Sequence, residues 1–300
     1  MDYVCVIGGA NIDISCTPYT ELKMRDSNPG KCRLSQGGVA RNVAENLARL
    51  GIKVVFISVL GKDKYAEDIK SGLDEVGVDY SHCLIVDDGR TGTYVAINNT
   101  DNDMELGFSD MEILKNLTPD YLLTKLDIIN KAKCVVMDTN IPECVQFLEK
   151  KCKVPLFMDT VSAKKTEAVK NILGRIFFIK PNLLEAEILS GVTYRTFGDL
   201  DLIAKKIHAK DIKRICISMG AEGVYFSDGN IRGIVPAIPT KVVNTTGAGD
   251  AFCAATVWAY LNGRGIKECT IVGCRAASLT ILSEDTVSKE MCADKLIEAL

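Results

Sequence analysis

Histidine and aromatic residues are scarce in this chain: two His, one Trp, and 6% Phe, Trp and Tyr combined, in 300 residues. His82 and His208 stand far apart, so no His pair at helical spacing can seat zinc. Histidine-based acid–base chemistry is equally poorly supplied, and in an enzyme a carboxylate becomes the expected base. Charge of one sign is lacking too. The 36 Lys plus Arg nearly balance 39 Asp plus Glu, leaving −3, whereas polymeric nucleic acid calls for a strongly basic surface. No run suits a membrane: the longest uncharged stretch, Ala251 to Gly263, has 13 residues against the roughly 20 of a bilayer span. No leader pattern precedes the strand-like residues from Tyr3, so a cytoplasmic location is expected. The 24 Gly and 8 Pro are too few for a disordered or collagen-like chain. What remains is a soluble globular protein.

Cysteine is the exception, with twelve. They are spread almost evenly from Cys5 to Cys292 and form no CxxC pair, which argues against a disulfide framework or a common zinc site. Several lie in apolar strand-like runs, such as Tyr3-Val4-Cys5-Val6-Ile7 and Arg214-Ile215-Cys216-Ile217, where Cys packs as a small hydrophobe. Reduced structural thiols in a reducing compartment are the expectation.

The length allows about two domains, or one large α/β body carrying an insertion. Short apolar runs predict strands at Tyr3 to Ile7, Val54 to Val59, Cys134 to Asp138, Leu156 to Asp159, Ile176 to Ile179, Ile215 to Ser218 and Gly223 to Phe226. Helical patterns fall between them, at about 39–50, 65–75, 142–151, 163–172, 183–190, 199–210, 249–262, 268–281 and 289–300. Continuous apolar strands favour a mostly parallel sheet flanked by helices on both faces, a doubly wound α/β fold. An edge-like strand is expected around Ser81 to Val86. Two segments, about 13–36 and 91–108, are too polar and turn-rich for that core. A small β-sheet lid inserted in a single domain over 1–300 is the economical account, with Gly92 to Asn98 and Glu105 to Phe108 as two of its strands.

The sharpest motif is Asn244-Thr245-Thr246-Gly247-Ala248-Gly249-Asp250, leading into an apolar helix. Gly247, Ala248 and Gly249 let the backbone approach a ligand closely, and the free N–H groups of the helix start form an anion hole suited to a phosphoryl group. Phosphate would repel a carboxylate there. Asp250 therefore needs a reason, and taking a hydroxyl proton as the γ-phosphoryl is attacked supplies one. The plainer account is a first-turn Asp complementing the helix dipole. Asn182 and Glu185 have capping-box spacing after a strand, or alternatively orient water and Mg²⁺ beside phosphates. Ser218, Gly220 and Gly223 read as a nucleotide contact at a strand end, or as a β-turn. Asn11 and Asp13 follow the first strand, and Gly37-Gly38 opens a helix carrying Asn42; such groups suit a hydroxyl-rich ligand, while an Asx-turn is the local alternative. Neither a Gly-x-Gly-x-x-Gly fingerprint after the first strand nor a P-loop occurs.

Taken in order, Gly37-Gly38 with Asn42, Asn182-x-x-Glu185 and Thr246-Gly247-Ala248-Gly249-Asp250 resemble the signatures of the ribokinase-like (PfkB-type) carbohydrate and nucleoside kinases, over essentially the whole chain. The resemblance implies an α/β core with a β lid, ATP and Mg²⁺, and phosphorylation of a primary hydroxyl. It implies Asp250 as base, Gly247 and Gly249 in the anion hole, and Asn182 and Glu185 in the Mg²⁺–phosphate network. Asp13 and Asn42 would hold sugar hydroxyls, and Ser218 with Gly220 would lie along the nucleotide. Backbone carbonyls near Asn244 and Ser283 would contribute to a K⁺-like site. Many ribokinase relatives carry Asp where this chain has Asn244, so one formal charge is missing there. Within the family, Gly8-Gly9-Ala10-Asn11-Ile12-Asp13, Asp26-Ser27-Asn28-Pro29-Gly30 and Asp159-Thr160-Val161-Ser162-Ala163-Lys164 look most like the subgroup acting on pseudouridine. That implies Ser27 and Asn28 on a uracil edge and Lys164 on a base carbonyl or phosphate, a solvated lysine being the plain alternative. Kinases of ribose, adenosine or a 2-keto sugar acid stay open, as does a catalytically silent sensor. An exposed lid sheet is a liability unless covered, which makes a homodimer through the lid a further expectation.

Overall fold

Short apolar runs ending in a charged or glycine residue set the strand lengths of this protein. The computed structural model describes residues 2–298. It opens with β1 (Val4–Ile7), β2 (Asn11–Pro18), β3 (Gly30–Gly37) and α1 (Val39–Arg49). Next come β4 (Val54–Ile57), β5 (Val59–Leu60), α2 (Lys64–Glu75), β6 (Leu84–Ile85), β7 (Gly92–Asn98) and β8 (Met104–Asp110). Short helices α3 (Pro119–Thr124) and α4 (Leu126–Lys131) lead to β9 (Val135–Asp138), α5 (Pro142–Lys151), β10 (Leu156–Asp159) and α6 (Ala163–Val169). The alternation continues through β11 (Phe178–Lys180), α7 (Leu183–Ser190), α8 (Asp199–His208) and β12 (Arg214–Ser218). The chain then forms β13 (Val224–Ser227), β14 (Arg232–Val235), α9 (Ala248–Leu261), α10 (Ile266–Ile281) and α11 (Ala293–Ile297).

Eight strands make the central sheet, in the order β14-β13-β12-β11-β10-β9-β1-β4. It is parallel from β12 to β4, and β13 and β14 add an antiparallel edge. Successive strand residues point to opposite faces. Cys5, Ile7, Met137 and Met158 therefore pack with Leu122, Ile129, Val145, Leu148, Val169, Ala186 and Ile203 of α3 to α8. Val4, Val6, Val136 and Phe157 pack with Val43, Leu47, Ile69, Leu73, Cys253 and Val257 of α1, α2 and α9 on the other side. Both faces being covered is why these strands read as unbroken apolar runs.

A second sheet, in the order β3-β2-β7-β8, is built from the two polar segments. β2 pairs antiparallel with β3 and parallel with β7, and β7 pairs antiparallel with β8. Its two faces differ. One cross-strand row is Ser35, Asp13, Tyr94 and Ser109; the next, on the opposite face, is Leu34, Ile14, Val95 and Phe108.

The elements depart from the sequence expectation at edges. The run Val54 to Val59 breaks at Ser58, whose hydroxyl donates to the Gly8 carbonyl at 2.6 Å; β4 stays in the main sheet and β5 pairs with β6. The edge strand near Ser81 to Val86 shrinks to Leu84–Ile85. The strand expected at Ile176 to Ile179 is shifted to Phe178–Lys180. β14 went unforeseen because Arg232-Gly233-Ile234-Val235 is half exposed at the sheet edge. The helix expected over 289–300 covers Ala293–Ile297, and 299–300 lie outside the described residues. No described helix is long and apolar enough to cross a membrane.

Candidate active site

Three neighbouring parallel strands end in ionisable residues at one level. Asp159 of β10 pairs in register with Lys180 of β11 on one side and Asp138 of β9 on the other. In parallel α/β sheets the carboxyl ends of the strands face the ligand crevice, so an otherwise apolar sheet presents its charge at that edge. Asp159 and Lys180 are buried and ion-paired at 3.3 Å. Among the described residues the Asp159 Oδ2 atom of this pair has no hydrogen-bond donor, while Oδ1 accepts from the Val161 amide at 2.9 Å. Burial opposes the charge on Lys180, but Asp159, Glu185, Cys253 and Asp250 around it outweigh burial and hold the ammonium protonated.

Asp250 lies above this pair in the first turn of α9. Gly247 caps the helix at φ 85, a left-handed conformation natural to glycine; a side chain there would collide with the Thr286 carbonyl. A Cβ on Gly249 would stand 3.0 Å from Lys180 Nζ. The Ala251 amide makes the first intrahelical bond, to the Gly247 carbonyl at 2.9 Å. The amides of Gly249 and Asp250 precede it and have no helical carbonyl to bond. Together with the capless glycine turn they fit an anion. Asp250 is buried, and its Oδ2 accepts from Asn42 Nδ2 at 2.7 Å. Burial first, then the nearby Asp159 carboxylate, push the Asp250 carboxyl up to about 7, against the pull of Asn42, Lys180 and Arg41. A carboxyl raised toward neutrality suits proton abstraction.

The N-terminal motifs meet the same centre. Asn11 Nδ2 donates to Asp13 Oδ1 at 2.6 Å, and the Asp13 carboxylate packs against Gly37, where a Cβ would push that carboxylate aside. Burial pushes the Asp13 carboxyl up, opposed by Asn11 and Arg41. Gly38 (φ 94) is packed on the Gly9 carbonyl and starts α1, which carries Asn42 to Asp250.

Asn182 and Glu185 form a true capping box on α7, with the Asn182 amide donating to Glu185 Oε2 at 2.8 Å and the Glu185 amide to Asn182 Oδ1 at 2.9 Å. Thr160 Oγ1 also donates to Glu185 Oε2 at 2.5 Å, and Asn182 Nδ2 to Oε1 at 3.0 Å. Val161 at φ 61, with the Ser162 amide on the Thr160 carbonyl at 2.6 Å, makes a strained γ-turn that presents Thr160. With both Glu185 oxygens engaged, the site fits Mg²⁺ held through water and phosphate rather than caged by protein. No cluster of three or more His, Cys, Asp or Glu able to hold a metal occurs among the described residues.

Ser218 bridges Asn182, its amide donating to the Pro181 carbonyl at 3.0 Å. Gly220 and Gly223 follow at φ 60 and 99, and Gly223 packs on the Val235 carbonyl. Val235 also lines a cavity of about 380 Å³ with Ile238, Ile271, Cys274, Arg275 and Glu298. Asn244 joins two loops: Oδ1 accepts from the Thr246 amide at 2.9 Å, and Nδ2 donates to the Glu284 carbonyl at 3.2 Å. Ser283 Oγ accepts from the Asp285 amide at 3.0 Å in the same loop.

Three expected contacts fall outside this cluster. Ser27 and Asn28 are exposed in the β2–β3 connection. The Asn28 side chain is used by its own loop, accepting from the Lys23 amide at 2.7 Å and donating to the Lys23 and Asp26 carbonyls. Lys164 is exposed on α6, whereas the adjacent Lys165 turns to Asn140. Conversely, the motifs assign no role to Asp159, Lys180, Thr160, Arg41 and Thr286, although Asp159 and Thr160 stand in the 159–164 string. For the first two a signal existed: an ionisable residue closing an apolar strand.

A buried carboxylate at a glycine-capped helix start, beside free amides and the polar Asn42 side chain, suits phosphoryl-transfer chemistry. The sequence profile of the pfkB family carbohydrate kinases matches residues 1–291. The chain belongs to that family. It is 36% identical over 299 residues to the pseudouridine kinase of Escherichia coli (strain K12), covering 99% of this chain and 96% of the relative. It is 27% identical to the guanosine-inosine kinase of Exiguobacterium acetylicum, covering 95% and 96%. The solved structure of a carbohydrate kinase from Agrobacterium tumefaciens superposes with a TM-score of 0.84 at 29% identity, over 100% of this chain and 97% of that one. As a pfkB kinase the protein is an ATP-dependent phosphotransferase with a small sugar or nucleoside acceptor.

Proposed function

We propose that this pfkB kinase transfers the γ-phosphoryl group of ATP to the 5′-hydroxyl of pseudouridine, giving pseudouridine 5′-phosphate and ADP. The observation that carries the chemistry is the Asp250 carboxylate, buried, raised toward neutrality and aimed by Asn42. Asp13, Asn11 and the Gly37-Gly38 turn seat the ribosyl hydroxyls. Asp250 takes the 5′-hydroxyl proton as the oxygen attacks phosphorus in line. The Gly249 and Asp250 amides and the Gly247 turn receive the charge growing on the transferred group. When bound, Mg²⁺ neutralises the phosphates, with Asn182 and Glu185 holding it through water. Ser218, Gly220 and Gly223 line the nucleotide path, and the cavity at Val235, Ile271 and Cys274 accommodates the base. The β3-β2-β7-β8 sheet acts as a lid that excludes water over the acceptor. Twelve unbridged cysteines suit a reducing cytoplasm.

The choice of acceptor rests on the likeness to the Escherichia coli pseudouridine kinase over nearly the whole chain. A panel of pseudouridine, uridine, inosine, ribose and adenosine at equal concentration tests it. Pseudouridine is expected to have the highest kcat/KM; equal or better turnover of ribose removes the assignment. Binding of one acceptor without phosphoryl transfer to any would make the protein a sensor. The lid face opposite Asp13 leaves Leu34, Leu106 and Phe108 46–57% exposed, and a second copy of the chain would cover this face. Sedimentation should show a dimer that Phe108→Asp dissociates; a concentration-independent monomer excludes it.

A further inference from the structure

Arg41 is fully buried one residue before Asn42 in α1 and makes five side-chain hydrogen bonds. Its Nε donates to the Gly37 carbonyl at 3.1 Å, and Nη2 to the Gln36 carbonyl at 2.9 Å and to Asn42 Oδ1. Nη1 reaches Glu45 Oε2 at 2.5 Å and Gln36 Oε1 at 3.4 Å. Thr286, from the far end of the chain, brings its hydroxyl to the same two acceptors: the Gln36 carbonyl at 3.1 Å and Asn42 Oδ1 at 3.4 Å. The Asn42 amide therefore has donors on one side and the Asp250 carboxylate, an acceptor, on the other. Turned over, it would set NH₂ against a guanidinium and oxygen against a carboxylate. Only one orientation satisfies both sides.

We propose that Arg41 and Thr286 are positioning residues that lock the Asn42 amide toward Asp250 and make that lock depend on the seating of the β3 end. The inference rests on Asp250 being the base. Gln36 and Gly37 close β3, and Gly37 also packs on Asp13. The backbone that shapes the acceptor site thus supplies the carbonyls that hold Arg41 and Thr286. A displaced β3 end loosens both donors, frees the amide to rotate, and removes the hydrogen bond that favours ionised Asp250. The other charged groups facing Asp250 are Asp159 from β10, Lys180 from β11 and Arg41 itself, with Cys253 one turn along α9 facing the same pair. Two substitutions disturb the amide without changing any of these charges: Thr286→Val keeps the side-chain shape, and Arg41→Lys keeps the charge but loses the fork.

The test is the pH profile of kcat/KM for the acceptor at saturating MgATP, whose own titration is common to all variants. Thr286→Val should move the acid limb to higher pH by about half a unit and lower kcat about 3- to 10-fold, with KM for ATP within about twofold. Arg41→Lys should move the limb further in the same direction. In the Asn42→Ala background, Thr286→Val should leave the limb where that background puts it. Equal shifts in both backgrounds, or limbs that stay put in both single variants, overturn the proposal. Should Arg41→Lys fail to fold, the Thr286→Val cycle decides alone. Asp250→Asn separates the two levels: normal turnover in that variant removes the base, whereas loss of turnover with unmoved limbs removes only the role of Arg41 and Thr286.

Discussion

Asp250→Asn should make the protein more stable while nearly abolishing its turnover. In the native state burial and Asp159 raise the Asp250 carboxyl from 3.8 to about 7. A carboxyl with a raised folded pKa favours the fold below its unfolded pKa, and that contribution is lost as pH rises through the folded value. At about 1.4 kcal/mol per pK unit, the buried charge costs on the order of 4 kcal/mol above pH 7, about 2 at pH 5 and nothing below pH 4. The neutral amide escapes this cost and can turn to accept from Asn42. With an unfolding entropy of roughly 0.6 kcal/mol/K for a chain of this length, Tm should rise by about 6 °C at pH 8 and about 3 °C at pH 5. Thermal melts of both proteins at the two pH values, beside a coupled ADP-release assay, measure the pair of effects. Turnover should fall at least about 100-fold. A Tm change identical at pH 5 and pH 8, or a loss of stability at both, would refute the burial argument; unchanged kcat would refute the base.

Lys180→Met should unfold more easily, because it leaves Asp159 buried without its partner; removing one member of such a pair costs about 3–5 kcal/mol. The Asp159→Asn, Lys180→Met double variant should regain most of the loss in a urea titration, and equal losses in both would dismiss the ion pair. For Ser27→Ala and Asn28→Ala, uracil contact predicts a larger drop in kcat/KM on pseudouridine than on ribose. The loop bonds of Asn28 predict a uniform drop for that variant, and a substrate comparison distinguishes them. Asn244 already ties the loops that a monovalent cation would bridge. Turnover should therefore change less than about twofold when K⁺ is replaced by tetramethylammonium at constant ionic strength; a tenfold loss would show that the amide does not substitute for the ion.

The fold was legible because burial on both faces writes itself as unbroken apolar strands, with helices of matching period between them. The polar segments gave away the second sheet by the same logic in reverse. Strand ends were less legible. β11 is three residues long and owes its position to the pairing of Phe178 with Phe157 and Arg214, which no local pattern encodes. Asp250, the glycine turn and the Asn182–Glu185 pair stood out because backbone conformation and capping constrain residue type locally. Lys164 attracted attention over Lys165 for the converse reason. On a short helix, which of two adjacent lysines turns inward depends on the neighbouring strand end.

By itself the sequence determined the α/β class and set the polar second sheet apart from the core, and it marked Asp250 and the glycine turn as candidates, since each leaves a periodic or conformational mark on residue choice. Only the tertiary structure decided what surrounds Asp250. Asn42 and Asp250 are 208 residues apart and Thr286 and Asn42 are 244 apart. Asp159 and Lys180 become partners through strand register alone. The state of charge of Asp250 comes from these distant neighbours and from burial, so it belongs to the folded chain and has no counterpart in the motif.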